Sequence, residues 1–165
     1  MNTSSTREMK SLKIAVIVVL LAFSAVLAGE RGAVKPSAQD KCPVCGMFVA
    51  KYPDFVAEIV FKDGSYAFFD GVKDMMKYYF NLKKYNPSKN VEDIDSIYVT
   101  DYYDLALMDG KKAWYVVDSD VYGPMGKELM PFQNEADANE FMADHSGQSL
   151  VRFDAITQEI LKGLD

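Results

Sequence analysis

Between Phe55 and Phe153 the chain runs twice through one order of patterns: strand, return strand, helix, strand. Two such passes in about a hundred residues confine the fold to small sheets with a helix against each. Phe55 to Phe61 alternates Phe, Ala, Ile and Phe on one face, the period of a half-buried strand. Asp63-Gly64 follows, a dipeptide suited to a two-residue hairpin turn because glycine accepts positive φ. Tyr66 to Phe69 is the return strand. Asp70 reads as the N-cap of a helix in which Val72, Met75, Met76, Tyr79 and Phe80 fall at i, i+3, i+4, i+7 and i+8. A polar loop at Asn86-Pro87-Ser88 leads to a strand over Ile97 to Tyr103.

Leu105 to Met108 with Asp109-Gly110 reads as a linking hairpin, after which the order recurs. Trp114 to Val117 is a strand and Glu128 to Phe132 its return. Asn134 caps a helix that buries Ala138, Phe141 and Met142. Leu150 to Phe153 closes the unit, and Asp154 caps a terminal helix with Ile156, Ile160, Leu161 and Leu164. The expected fold class is α+β: two small β-β-α-β units, residues 41–103 and 104–165, packed together and preceded by a Cys-x-x-Cys-Gly-Met knuckle. Each unit has too little apolar area to stand by itself, so each needs the other as its second layer.

The N-terminal segment follows different rules. Arg7, Lys10 and Lys13 precede an apolar run from Ile14 to Ala28 broken only by Ser24, and Val26-Leu27-Ala28 offers small residues for cleavage. The run is shorter than the roughly 20 residues that span a bilayer. Residues 1–28 are therefore expected to be a signal peptide or an N-terminal membrane anchor, with attachment through residues 14–28. Residues 29–40 read as a flexible linker. Removing residues 1–28 takes away three basic residues and one acid, which moves the formal net charge from −6 to −8. An acidic chain without a Lys/Arg cluster argues against nucleic acid, because neutralising phosphate needs a basic face.

Chemistry concentrates in Cys42-Pro43-Val44-Cys45-Gly46-Met47, which holds the chain's 2 cysteines and a methionine. Three sulfur atoms this close form a soft cluster of the kind that prefers Cu(I). Rival readings are a zinc knuckle completed by His145 and a carboxylate, a thiol-disulfide redox pair, and a plain disulfide in an oxidising compartment. In Gly123-Pro124-Met125-Gly126, glycines on both sides hold Met125 in a loop instead of a core, which invites a ligand reading. Met75, Met76, Met130 and Met142 read as core. His145 reads as a cationic helix C-cap, with Gly147 at the stop. No phosphate loop, nucleophile elbow or dinucleotide fingerprint is present, so an enzyme is not expected.

These motifs, with Asp70-Gly71-Val72-Lys73-Asp74, Tyr98-Val99-Thr100-Asp101-Tyr102 and Ser119-Asp120-Val121-Tyr122-Gly123-Pro124-Met125-Gly126, occur as an ordered set from Asp40 to Asp154. The set resembles the nitrous oxide reductase accessory protein (NosL) family. The resemblance implies an exported, periplasmic Cu(I) chaperone that helps load the copper centres of nitrous oxide reductase. Its partners would be the copper-receiving client enzyme or its assembly transporter. It also implies metal ligands at Cys42, Cys45, Met47 and Met125. Members are typically lipoproteins, whereas this chain has Glu30 where the lipidated cysteine would stand. The alternative function is a periplasmic thiol-disulfide protein using the Cys-Pro-Val-Cys pair.

Overall fold

In the computed structural model the two hairpins anticipated from the sequence become two antiparallel sheets with the same internal order. The structure describes residues 32–165; the expected leader over residues 1–28 and the start of the linker lie outside them. β1 (Ala57–Phe61) pairs with β2 (Tyr66–Phe69) and β3 (Ile94–Thr100), and a short β4 (Leu107–Asp109) adds to β3, giving the order β2-β1-β3-β4. The second sheet is β6 (Leu129–Phe132), β5 (Trp114–Val117) and β7 (Ser149–Arg152), with β5 central. In both sheets the first strand of the unit lies between its return strand and its closing strand. The repeat therefore holds in topology as well as in order.

Several boundaries differ from the sequence reading, each for a local reason. The β1–β2 connection has three residues: Gly64 donates to Phe61 O, Phe61 pairs with Ser65, and Gly64 takes φ +88°. This is a turn plus a left-handed bulge residue, the next most common hairpin solution after the two-residue turn. Phe55 lies in a 3₁₀ turn, Pro53–Phe55, because Pro53 starts that turn. β3 begins at Ile94 and stops at Thr100, where Asp101 turns the chain by accepting from the N–H groups of Tyr103 and Asp104. β4 makes its hairpin with β3, and Asp109-Gly110 carries the chain onward to the other sheet.

Four helices complete the described residues: α1 (Val72–Phe80), α2 (Leu82–Tyr85), α3 (Glu135–Asp144) and α4 (Gln158–Gly163). Asn134 caps α3 as expected, accepting from Asp137 N. Thr157, not Asp154, caps α4 by accepting from Ile160 N, because Phe153–Ala155 form a separate 3₁₀ turn first. At the end of α3, His145 is the C-cap, but the left-handed residue after it is Ser146 at φ +55°. Gly147 is small for another reason: a Cβ there would run into Val116.

The larger core cluster draws on both sheets. Ile59, Phe61, Phe69 and Val99 from the first meet Tyr115, Val117 and Leu129 from the second, with Met75 and Met76 of α1 and Leu161 and Leu164 at the C-terminal end. α1 touches β1 and β2 on one side and β6 and α4 on the other. The opposite face of the second sheet buries Val116, Met130 and Phe132 against Ala138 and Phe141 of α3, with Met142 partly buried there. Residues 32–165 thus belong to one compact unit.

Candidate metal centre

The cysteine motif folds back on itself before the first sheet begins. Cys42 N–H donates to Met47 O at 2.9 Å, Gly46 N–H donates to Cys42 O at 2.9 Å, and Lys41 bridges to Phe48. Gly46 stands at φ +80°, a conformation that glycine adopts without the steric cost a Cβ brings. The tight knuckle turns both thiols to one side. The knuckle leads directly into the 3₁₀ turn Val49–Lys51.

Facing the thiols are two carboxylates. The Cys42 thiol donates to Asp74 Oδ2 at 3.4 Å, and the Cys45 thiol donates to Asp70 Oδ1 at 3.2 Å. Ligand atoms of Cys42, Cys45, Asp70 and Asp74 all lie within 4.8 Å of one another. Cys42 is 1% exposed, Asp70 and Asp74 are buried, and Cys45 is half-buried, so the cluster opens at Cys45. Both cysteines are free thiols. Burial pushes the Cys45 thiol up to about 11, with Asp70 and Asp74 adding to the rise. Burial drives the Cys42 thiol higher still.

Asp70 is where the sequence reading and the structure part most clearly. The N-cap of α1 is Gly71, in extended backbone, and the Asp70 carboxylate turns to Cys45 instead of the helix N–H groups. The signal that marks both acids is their place at a helix start, where acids are favoured: Asp70 precedes the N-cap of α1 and Asp74 lies in its first turn. No comparable pattern marks Lys73 or Glu128, which are buried beside them.

Met125 lies at the tip of a tight turn in which Gly123 and Gly126 exchange backbone hydrogen bonds at 2.8 and 3.1 Å. Pro124 sets the first corner, and Gly126, at φ +89°, closes the turn. Met125 is 44% exposed, and its carbonyl accepts from Lys73 Nζ at 2.9 Å. The turn therefore touches the residue that separates Val72 from Asp74 on α1. Met47 is half-buried, and its carbonyl closes the knuckle. His145 does not join the cluster. Its Nδ1 faces Asp120 Oδ1 at 3.0 Å and its ring lies against Phe141.

Residues 33–161 match the family model described as NosL. The chain belongs to the NosL family. Among its relatives, the copper-binding lipoprotein NosL of Stutzerimonas stutzeri is 30% identical over 161 residues, covering 88% of this chain and 80% of that protein. The crystal structure of the copper chaperone NosL from Shewanella denitrificans superposes with a TM-score of 0.67 at 26% identity, covering 79% of this chain and 98% of the other. The solution structure of the apo-NosL protein from Achromobacter cycloclastes gives a TM-score of 0.46 at 26% identity, over 64% of this chain and 87% of that one. The mixed fold with two small antiparallel sheets is thus shared with a solved NosL structure. Among the described residues no helix is long and apolar enough to cross a membrane.

Proposed function

We propose that this chain is an exported Cu(I)-binding protein that carries copper to a client, with nitrous oxide reductase and its maturation machinery as the receiving side. The observation that carries the reading is the pair of free, adjacent thiols at the edge of a packed core, in a family whose named relatives bind copper. Thiolates supply affinity for a soft cation, and thioethers add neutral donors that protons do not displace. Cys42, Cys45, Met47 and Met125 are the proposed ligands. Asp70 and Asp74 accept the hydrogen bonds of the two thiols and so line the metal-free site. Copper is cargo here, and the half-exposed Cys45 and Met125 are the atoms a client's ligand would reach first.

The thiol-disulfide reading asks for something else. A redox pair works through a thiol whose pKa is depressed by a helix N-terminus or a neighbouring cation. Here burial raises both thiols, and acids, not cations, stand beside them. That setting gives the redox reading no activated thiol. Export belongs to the same proposal and rests on the leader-like residues 1–28 and on the lipoprotein relative. Titrating the reduced protein with Cu(I) against a chelator, with a disulfide reductase assay in parallel, separates the two readings. Stoichiometric Cu(I) retention that weakens in Met47→Leu and Met125→Leu is expected. Reductase turnover with weak copper binding would sink the carrier reading.

A further inference from the structure

The Met125 turn has little of its own to hold a thioether in place. Two backbone hydrogen bonds close it, and Met125 itself is 44% exposed. What fixes the turn comes from α1. Lys73 is 2% exposed, and its ammonium donates to two carbonyls from distant segments, Met125 at 2.9 Å and Leu164 at 3.0 Å. A hydrogen bond from a cation is shorter and stronger than a neutral one. A buried ammonium separated from its acceptors also has no water to replace them.

Glu128 secures the same junction from the other side. Its Oε1 accepts from the backbone N–H of Lys73 and from Leu129 N at 2.9 Å, so one oxygen joins the first turn of α1 to the start of β6. The rest of the side chain occupies space that two glycines leave open. A Cβ at Gly71 would overlap Glu128 Oε2, and one at Gly123 would come within 3.2 Å of Glu128 Cγ. Gly71 has φ near −180°, which any residue adopts, so its smallness answers to Glu128 and not to backbone strain. Lys73 holds the tip of the Met125 turn and Glu128 holds its base. The next residue along α1, Asp74, contacts Cys42.

We propose that Lys73 and Glu128 form a clasp that sets where the Met125 turn sits against α1, making them positioning residues for copper retention. The inference rests on the reading of Met125 as a copper ligand. It assigns a purpose to a buried lysine and a buried glutamate whose hydrogen bonds go to other residues than the cysteines.

The test is a double-mutant cycle on the full protein, read as Cu(I) affinity in chelator competition for the parent, Lys73→Met, Met125→Leu and the double variant. If Lys73 acts through Met125, Lys73→Met weakens retention by roughly 10–100-fold, as loss of an outer support typically does. The double variant then binds no more weakly than Met125→Leu alone, because there is no thioether left to misplace. A general loss of fold would instead lower affinity in both backgrounds. Should Lys73→Met leave affinity intact while Met125→Leu lowers it, the clasp is wrong and the copper reading stands. A double variant weakened by the product of both single effects also overturns the clasp. Parent-like affinity in Met125→Leu removes the ligand assignment itself, and with it the clasp. Lys73→Gln, which keeps a donor in nearly the same volume, takes the place of methionine in the cycle if Lys73→Met does not fold.

Discussion

At Cys45 a half-buried thiol stands against a buried carboxylate, and the proton between them decides how copper binding responds to pH. Folding raises both thiols above their ordinary value of 9.0, Cys45 to about 11 and Cys42 further. Both therefore hold their protons at neutral pH, and Cu(I) must displace them. Apparent affinity should rise with pH between about 6 and 8, by up to about tenfold per pH unit for each thiol proton released. Chelator competition at several pH values measures this slope, and a flat profile would mean that thiolates are not the ligands. For the metal-free protein the sign is opposite. A raised thiol pKa contributes stability below pH 9 that is lost as pH climbs through about 11. That the two cysteines stand together was legible in the sequence because only two residues of a tight turn separate them. Asp70 was misread because an acid before a helical run looks like a cap. Only the third dimension shows that Gly71 intervenes and that the carboxylate faces a thiol.

Among the elements, the hydrophobic periods located the strands and helices well, and the ends less well. β5 spans Trp114–Val117 as read, and α1 buries Val72, Met75 and Met76 as its period requires, but it buries Lys73, Asp74 and Tyr78 too, while Tyr79 and Phe80 stay half-buried. Ends depend on single hydrogen bonds, which a period does not record. Asn134 and Asp154 looked alike as caps; Asn134 accepts a bond from α3, whereas the cap of α4 is Thr157. Removing the Asn134 cap with Asn134→Ala should cost about 1 kcal/mol in denaturant unfolding. Because α3 packs on the face of β5, β6 and β7 away from the thiols, Cu(I) affinity should stay at the parent value. A loss of affinity in that variant would show that the two faces of the second sheet are more tightly coupled than their separate clusters suggest.

The whole molecule is held together by a core that neither half owns. Tyr115, Val117, Leu129 and Leu161 pack in the same cluster as Ile59, Phe69, Met75 and Cys42. A fragment of residues 32–103 keeps both cysteines and both acids but loses that second layer, so it should give the spectrum of a largely unfolded chain. It should also lose most Cu(I) affinity. Dispersed amide signals together with parent-like binding would place the site wholly in the first half. In the intact protein Cu(I) should raise the thermal midpoint, since a ligand that binds only the folded form stabilises it by mass action.

The bond from Lys73 to the Leu164 carbonyl spans 91 residues of sequence. The cysteines lie earlier still, so a growing chain presents both thiols long before α4 exists to close over the helix that faces them. The helix that carries Asp74 therefore gains this anchor only after the chain has grown 91 residues past Lys73.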